Sequence, residues 1–193
     1  MLRSNAAFAI DELDEEDLMN SLVEVRNNEG FKGVFAKEDI IEDSVIFHLK
    51  GTVSARPSKY TIQLARDQHL NFPLLRKADD DINYCWQYLN HCCEPNGYMN
   101  TTELTFRAAK NIRRGEEITF NYLTTESAMA VPFNCICGSA GCFGYIQGRD
   151  FLTQAQAKRL ALSVGAHNVV TLFMPAIETI TVDLENSKSG QRR

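Results

Sequence analysis

Short apolar runs broken by turn-forming residues recur along the chain, and most are too short for anything but strands. Leu22-Val23-Glu24-Val25-Arg26 alternates with the period of two expected of a half-buried strand. Val34-Phe35-Ala36 follows Gly33 and reads as a second strand. Asp43 to Leu49, closed by Gly51, reads as a third and Tyr60 to Leu64 as a fourth. Leu104 to Ala108 reads as a fifth, and Glu117 to Tyr122, introduced by the turn at Arg114-Gly115, as a sixth. A helix is predicted from Thr153, where Gln154 to Leu162 is rich in helix formers and Gly165 can stop it. The pattern predicts a mainly β (α+β) fold of small sheets with one C-terminal helix.

Residues 160–177 carry no charge, but Gly165, His167, Asn168 and Pro175 interrupt them. A membrane span needs about 20 clean apolar residues, so a buried helix followed by an irregular segment is the expectation. The start of the chain lacks an apolar run long enough for a secretory signal before acids arrive. Residues 185–193 are polar and predict a disordered tail.

With 193 residues, 44% hydrophobic and 23% charged, the chain can bury a core, which excludes disorder for its bulk. The net charge of −5 is not evenly spread. Residues 1–21 hold Arg3 against Asp11, Glu12, Asp14, Glu15, Glu16 and Asp17, and the rest is neutral overall. The acidic segment 11–21 predicts a helical turn or two capped by Asp11. Such a balance argues against a basic nucleic-acid-binding surface.

Six cysteines fall in two clusters, Cys85, Cys92 and Cys93, then Cys135, Cys137 and Cys142. Clustering without a secretory signal points to an intracellular, thiol-reducing setting and to metal. Cys135-Ile136-Cys137-Gly138-Ser139-Ala140-Gly141-Cys142 is a C-x-C-x4-C array whose glycines let the chain fold back on one ion. Zinc takes four tetrahedral ligands, so the knuckle leaves one place to be filled from Cys85, Cys92 or Cys93. A four-thiolate site has no open position and is structural rather than catalytic.

Asn90-His91-Cys92-Cys93-Glu94-Pro95-Asn96 follows the uncharged aromatic stretch Tyr84 to Leu89. Alone it reads as a strand end and a turn. With its companions the chain resembles the SET-domain protein-lysine methyltransferases, through four motifs in the family's order. Gly30-Phe31-Lys32-Gly33-Val34-Phe35-Ala36 is similar to the N-terminal G-x-G segment, and Asn90 to Asn96 to N-H-S-C-x-P-N. Gly115-Glu116-Glu117-Ile118-Thr119-Phe120-Asn121-Tyr122 is similar to G-E-E-L-T-x-D-Y, and the cysteine array to the post-SET knuckle.

The resemblance implies an acidic extension over 1–21, a SET domain over 22–125, a post-SET zinc segment over 131–148 and a helical extension over 149–184. It implies a fold of small curved sheets around a C-terminal pseudoknot. It makes Cys93 the fourth zinc ligand beside Cys135, Cys137 and Cys142, leaving Cys85 and Cys92 spare. It further implies S-adenosylmethionine as methyl donor. Backbone groups of Lys32, Gly33 and Val34, with Asn90 and the backbone of His91, would hold the cofactor, and Phe143 would lie against its adenine. Tyr122 would align amine and sulfonium methyl. Phe120 would share the lysine channel with Tyr122 and leave room for di- or trimethylation. The expected partner is a protein or peptide lysine, with no direct nucleic-acid binding and no membrane expected, and the expected setting is intracellular, cytoplasmic or, in a eukaryote, nuclear.

Three positions depart from the pattern: Gly30 lies one residue early, Asn121 replaces aspartate, and Cys92 replaces serine. Residues 52–84 form the short substrate-recognition insert and match no known signature. The contrasting expectations are a silent SET-fold module that binds protein partners, and a zinc-stabilised interaction domain without cofactor.

Overall fold

The computed structural model describes residues 22–28, 30–73 and 82–163. The expectations for the acidic segment 11–21, for residues 164–184 and for the tail 185–193 lie outside these. Twelve strands and one α-helix are formed among the described residues. The first sheet pairs β1 (Val23–Asn28) with β2 (Phe31–Ala36), then β10 (Glu117–Phe120), then β7 (Asn90–His91). β1 and β2 are an antiparallel hairpin turned at Gly30, whose φ of +89° suits a residue without a Cβ. Gly30 therefore serves the hairpin turn, which explains its displaced position.

β3 (Val45–His48), β9 (Thr105–Ala108) and β8 (Gly97–Asn100) form a second sheet, in that order. β4 (Thr52–Ser54), β6 (Gln68–Asn71) and β5 (Ile62–Ala65) form a third, wholly inside the insert. β11 (Phe133–Asn134) and β12 (Tyr145–Ile146) pair across the cysteine array.

Strand ends move from the expected positions for local reasons. The third strand starts at Val45 because Asp43 turns left-handed (φ 66°) and accepts from the Tyr98 hydroxyl at 2.9 Å. The fourth starts at Ile62, since the Thr61 hydroxyl closes a turn with Ser58. The sixth ends at Phe120, where Asn121 caps a 3₁₀ turn over Tyr122–Thr124 by accepting from the Leu123 N–H at 3.1 Å.

Helix α1 (Gln154–Ser163) starts as expected. Thr153 Oγ1 accepts from the Gln156 N–H at 3.3 Å and Gln156 Oε1 from the Thr153 N–H at 2.9 Å, a reciprocal cap. No helix among the described residues is long and apolar enough to cross a membrane.

The main core joins the first two sheets through Val34, Ile118, Phe106, Ile112 and Trp86, all buried. Trp86 is 1% exposed and its indole donates to the Lys50 carbonyl at 3.0 Å, which satisfies the polar end of an otherwise apolar burial. A second core of Cys93, Leu123, Phe143, Ile146 and Leu160 packs α1 under the cysteine array. The two are tied together at β10. Its parallel pairing with β7 brings residues 117–122 against 90–96, and Asn96 completes the seam by donating to the Glu117 carbonyl at 2.8 Å and accepting from the Thr119 N–H at 2.9 Å.

Candidate active site and metal centre

The β7–β10 seam gathers most of the residues singled out in the sequence. Tyr122 leaves β10 with its ring 4.8 Å from Phe120, 5.1 Å from His91 and 6.0 Å from Phe133, centroid to centroid. Its hydroxyl donates to the Leu89 carbonyl at 2.6 Å. Burial, with Glu126 and Glu117 adding to it, pushes the phenol well above its usual range. Tyr122 is therefore a neutral phenol whose proton is already engaged, so its oxygen offers lone pairs and not a base. Phe120 is buried between Tyr122 and Phe106, whose ring lies 6.3 Å away.

His91 does more than its backbone role implies. Its Nδ1 accepts from the Tyr122 N–H at 3.1 Å, so the imidazole proton resides on Nε2, 3.2 Å from Cys93 Sγ. Burial lowers the imidazole to about 4, which keeps it neutral in that tautomer. His91 thus joins the Tyr122 backbone to the first cysteine of the cluster. The motif marked the residue, but the side-chain bridge depends on a contact 31 residues away.

Next to His91 in β7, Asn90 Nδ2 donates to Glu117 Oε1 at 2.7 Å and reaches the Lys32 carbonyl of β2 at 3.2 Å. Gly33 lies across from it. A Cβ at Gly33 would stand 2.8 Å from Glu117 Oε1 and 3.3 Å from Asn90 Nδ2, so any larger residue would have to displace the Glu117 carboxylate from Asn90. The Lys32 ammonium lies 4.5 Å from the Tyr88 ring centroid. Lys32, Gly33 and Asn90 are thus brought together. Val34 is 0% exposed and its side chain belongs to the core, so only its backbone faces this edge.

Phe143 is at the far side, in the second core, with the Arg159 guanidinium 4.0 Å from its ring centroid. Its N–H donates to Cys93 Sγ at 3.3 Å.

The sulfurs of Cys93, Cys135, Cys137 and Cys142 all lie within 4.8 Å of one another. Cys93 Sγ is 3.8 Å from that of Cys135 and 3.9 Å from that of Cys142. Tetrahedral zinc with bonds of about 2.3 Å separates its sulfurs by about 3.8 Å, so the set fits the ion. The Phe143 N–H donates to Cys93 Sγ and the Gly144 N–H to Cys142 Sγ at 3.4 Å, contacts that would help orient these sulfurs on the ion. Glu94 clamps the knuckle to the seam by accepting from the Gly141 N–H at 2.9 Å. Cys85 is a buried thiol pushed up to about 12 by burial, and Cys92 lies beside the cluster, 3.5 Å from the Ser139 hydroxyl.

Comparison with known proteins places part of the chain beside a known family. A family model described as SET domain matches residues 32–123. Residues 32–123 are thus similar to SET domains. Methyltransferase flvH of Aspergillus flavus is 35% identical over 58% of this chain and 60% of its own length. The H3 lysine-36 specific histone-lysine N-methyltransferase of Debaryomyces hansenii is 31% identical over 66% of this chain and 19% of its own. The chain thus spans less than two thirds of the first relative and about a fifth of the second. The solved structure of KRYPTONITE in complex with mCHG DNA and SAH has a TM-score of 0.48 and 20% identity, over 64% of this chain and 28% of that one.

Within the SET domain, Asn121 accounts for its own departure from aspartate. It is 2% exposed, donates to the Cys93 carbonyl at 3.3 Å and accepts from the Leu123 N–H. An ionised aspartate could do only the second and would face a carbonyl.

Proposed function

We propose that the protein transfers a methyl group from S-adenosylmethionine to a lysine side chain of a protein substrate, a histone or another basic protein. The observation that carries this reading is Tyr122, a neutral phenol of the SET domain whose proton is committed to Leu89. When bound, S-adenosylmethionine supplies a sulfonium methyl for displacement by an amine. Lysine titrates near 10.4 in water, and the apolar walls of Phe120 and Tyr122 favour its neutral, nucleophilic form. The Tyr122 lone pairs then orient the amine N–H and the polarised methyl on one line. No general base from this phenol is needed or available.

Cofactor recognition is assigned to Lys32, Gly33 and Val34 through their backbone, to Asn90, to the backbone of His91, and to the Phe143 ring. Asn90 fits an ammonium, because its amide bonds to Glu117 and Lys32 both run from Nδ2 and leave Oδ1 to accept. Zinc at Cys93, Cys135, Cys137 and Cys142 holds the post-SET segment 131–148 against the SET domain, assigned to 22–125. The segment 149–184 is a C-terminal extension that includes α1, and Phe120 favours more than one methyl group. An intracellular site of action, nuclear for a histone substrate, follows from that chemistry.

The test is incubation with labelled S-adenosylmethionine, histones and a cell lysate, beside Tyr122→Phe. Label on lysine that the variant loses supports the reading. Cofactor binding without transfer to any protein would favour the silent, partner-binding module.

A further inference from the structure

Immediately after Tyr122 the chain is gripped from two sides. The Tyr122 carbonyl accepts from the N–H groups of Thr125 at 3.2 Å and Glu126 at 2.9 Å, so those residues fix the orientation of its peptide. Glu126 Oε1 in turn accepts from the Gln63 N–H at 2.8 Å and the Thr125 hydroxyl at 3.1 Å. The Gln63 side chain returns the contact, its Oε1 accepting from the Ser127 N–H at 2.8 Å and the Ser127 hydroxyl at 2.9 Å. Gln63 belongs to β5, in the insert sheet. It is buried, as are Thr125 and Glu126, so these bonds are made away from water.

The opposite side is held by residues 148–150. Arg149 Nη1 donates to the carbonyls of Thr124 and Thr125 at 3.2 Å each, and its N–H donates to the Glu126 carbonyl at 3.0 Å. Gly148, at φ +117°, approaches so closely that a Cβ would stand 2.3 Å from the Ser127 carbonyl oxygen. Residues 124–127 are therefore clamped between the insert and the segment leading into α1.

We propose that Gln63 and Glu126 form a buried latch that fixes the backbone bearing Tyr122 to the β4–β6–β5 sheet, which makes both positioning residues for the Tyr122 hydroxyl. The inference rests on the reading of Tyr122 as the aligning group. Neither side chain touches the reacting atoms. The latch supplies precision, since a small displacement of an aligning group costs rate steeply.

The test compares Glu126→Ala, Glu126→Gln and Gln63→Leu with the parent, in turnover per cofactor-binding site counted by calorimetry and in amide hydrogen exchange. Glu126→Ala and Gln63→Leu should each lower kcat per site at least tenfold, with the KM for S-adenosylmethionine within twofold. Glu126→Gln, which keeps the accepting oxygen, should recover most of the rate. Exchange over 122–127 should accelerate tenfold or more in the two breaking variants, while 135–146 and the zinc content stay as in the parent. Unchanged exchange over 122–127 overturns the latch, even if no substrate is ever turned over. Normal kcat per site in both breaking variants overturns it as well, since a purely structural role would lower only the fraction folded. A Tyr122→Phe control with full activity would instead refute the reading of Tyr122 and leave the exchange result standing.

Discussion

Glu126 makes a quantitative prediction about stability. Glu126 is 7% exposed, and burial raises its carboxyl from 4.5 to about 7, against the opposing pull of the Gln63 N–H, the Thr125 hydroxyl and Arg149. A raised carboxyl binds its proton more tightly in the folded chain than in the unfolded one. The stability linked to that proton is complete below about pH 4.5, declines as the pH rises, and is gone above about 7. At about 1.4 kcal/mol per unit, the loss is about 3 kcal/mol, already net of the attraction to Arg149. Glu126→Gln keeps an oxygen for Gln63 and Thr125 and removes the charge. The variant should match the parent near pH 4.5 and exceed it by about 3 kcal/mol at pH 8, a rise in Tm of roughly 6–12 °C for a chain of this size. Urea titrations at pH 5, 6.5 and 8 measure this directly. A difference that does not change with pH, or a variant weaker than the parent at pH 8, would refute the reasoning. Tyr122 and Arg149 are the other ionisable groups coupled to Glu126, and the first stays neutral throughout this range.

Three further outcomes follow from other parts of the molecule. Elemental analysis should find one zinc per chain, and chelation or Cys142→Ser should lower the thermal midpoint by loosening the second core around Cys93, Phe143 and Leu160; an unchanged midpoint on chelation counts against the metal centre. Asn96→Ala removes both side-chain bonds across the seam and should cost about 2–3 kcal/mol in urea denaturation, whereas a loss below about 0.5 kcal/mol would show that the strands hold without it. Phe120→Tyr adds a hydroxyl beside Tyr122, 4.8 Å away ring to ring, and mass spectrometry of the product should show fewer methyl groups per lysine.

The sequence was most informative where strands alternate over several residues and where chemistry-bearing residues are closely spaced. Val23 to Arg26 and Thr105 to Ala108 could be read from their period, and α1 from Thr153 and its helix formers. Of the insert sheet only β5 was legible, as the strand read over Tyr60 to Leu64; β4 and β6 escaped because they have only three and four residues, and His69 and Leu70 are buried side by side without alternation. β8 begins at Gly97, where Pro95-Asn96-Gly97 signals only a turn. Local spacing predicted the cysteine knuckle, but the choice of Cys93 over Cys85 and Cys92 came from resemblance, because the closing contacts span 42 and 49 residues. Gln63 and Glu126 carry no local signal at all. A glutamine in a strand and a glutamate after a turn look like solvated residues until the fold brings them together.

The central claim is methyl transfer aligned by Tyr122, and the most direct measurement is transfer of label from S-adenosylmethionine to protein by the pure chain and by Tyr122→Phe. Alignment by Tyr122 predicts label on lysine side chains with the parent and at least a hundredfold less with the variant, at unchanged cofactor affinity and zinc content. Equal labelling by the two proteins, or a parent that does not bind the cofactor, would contradict it.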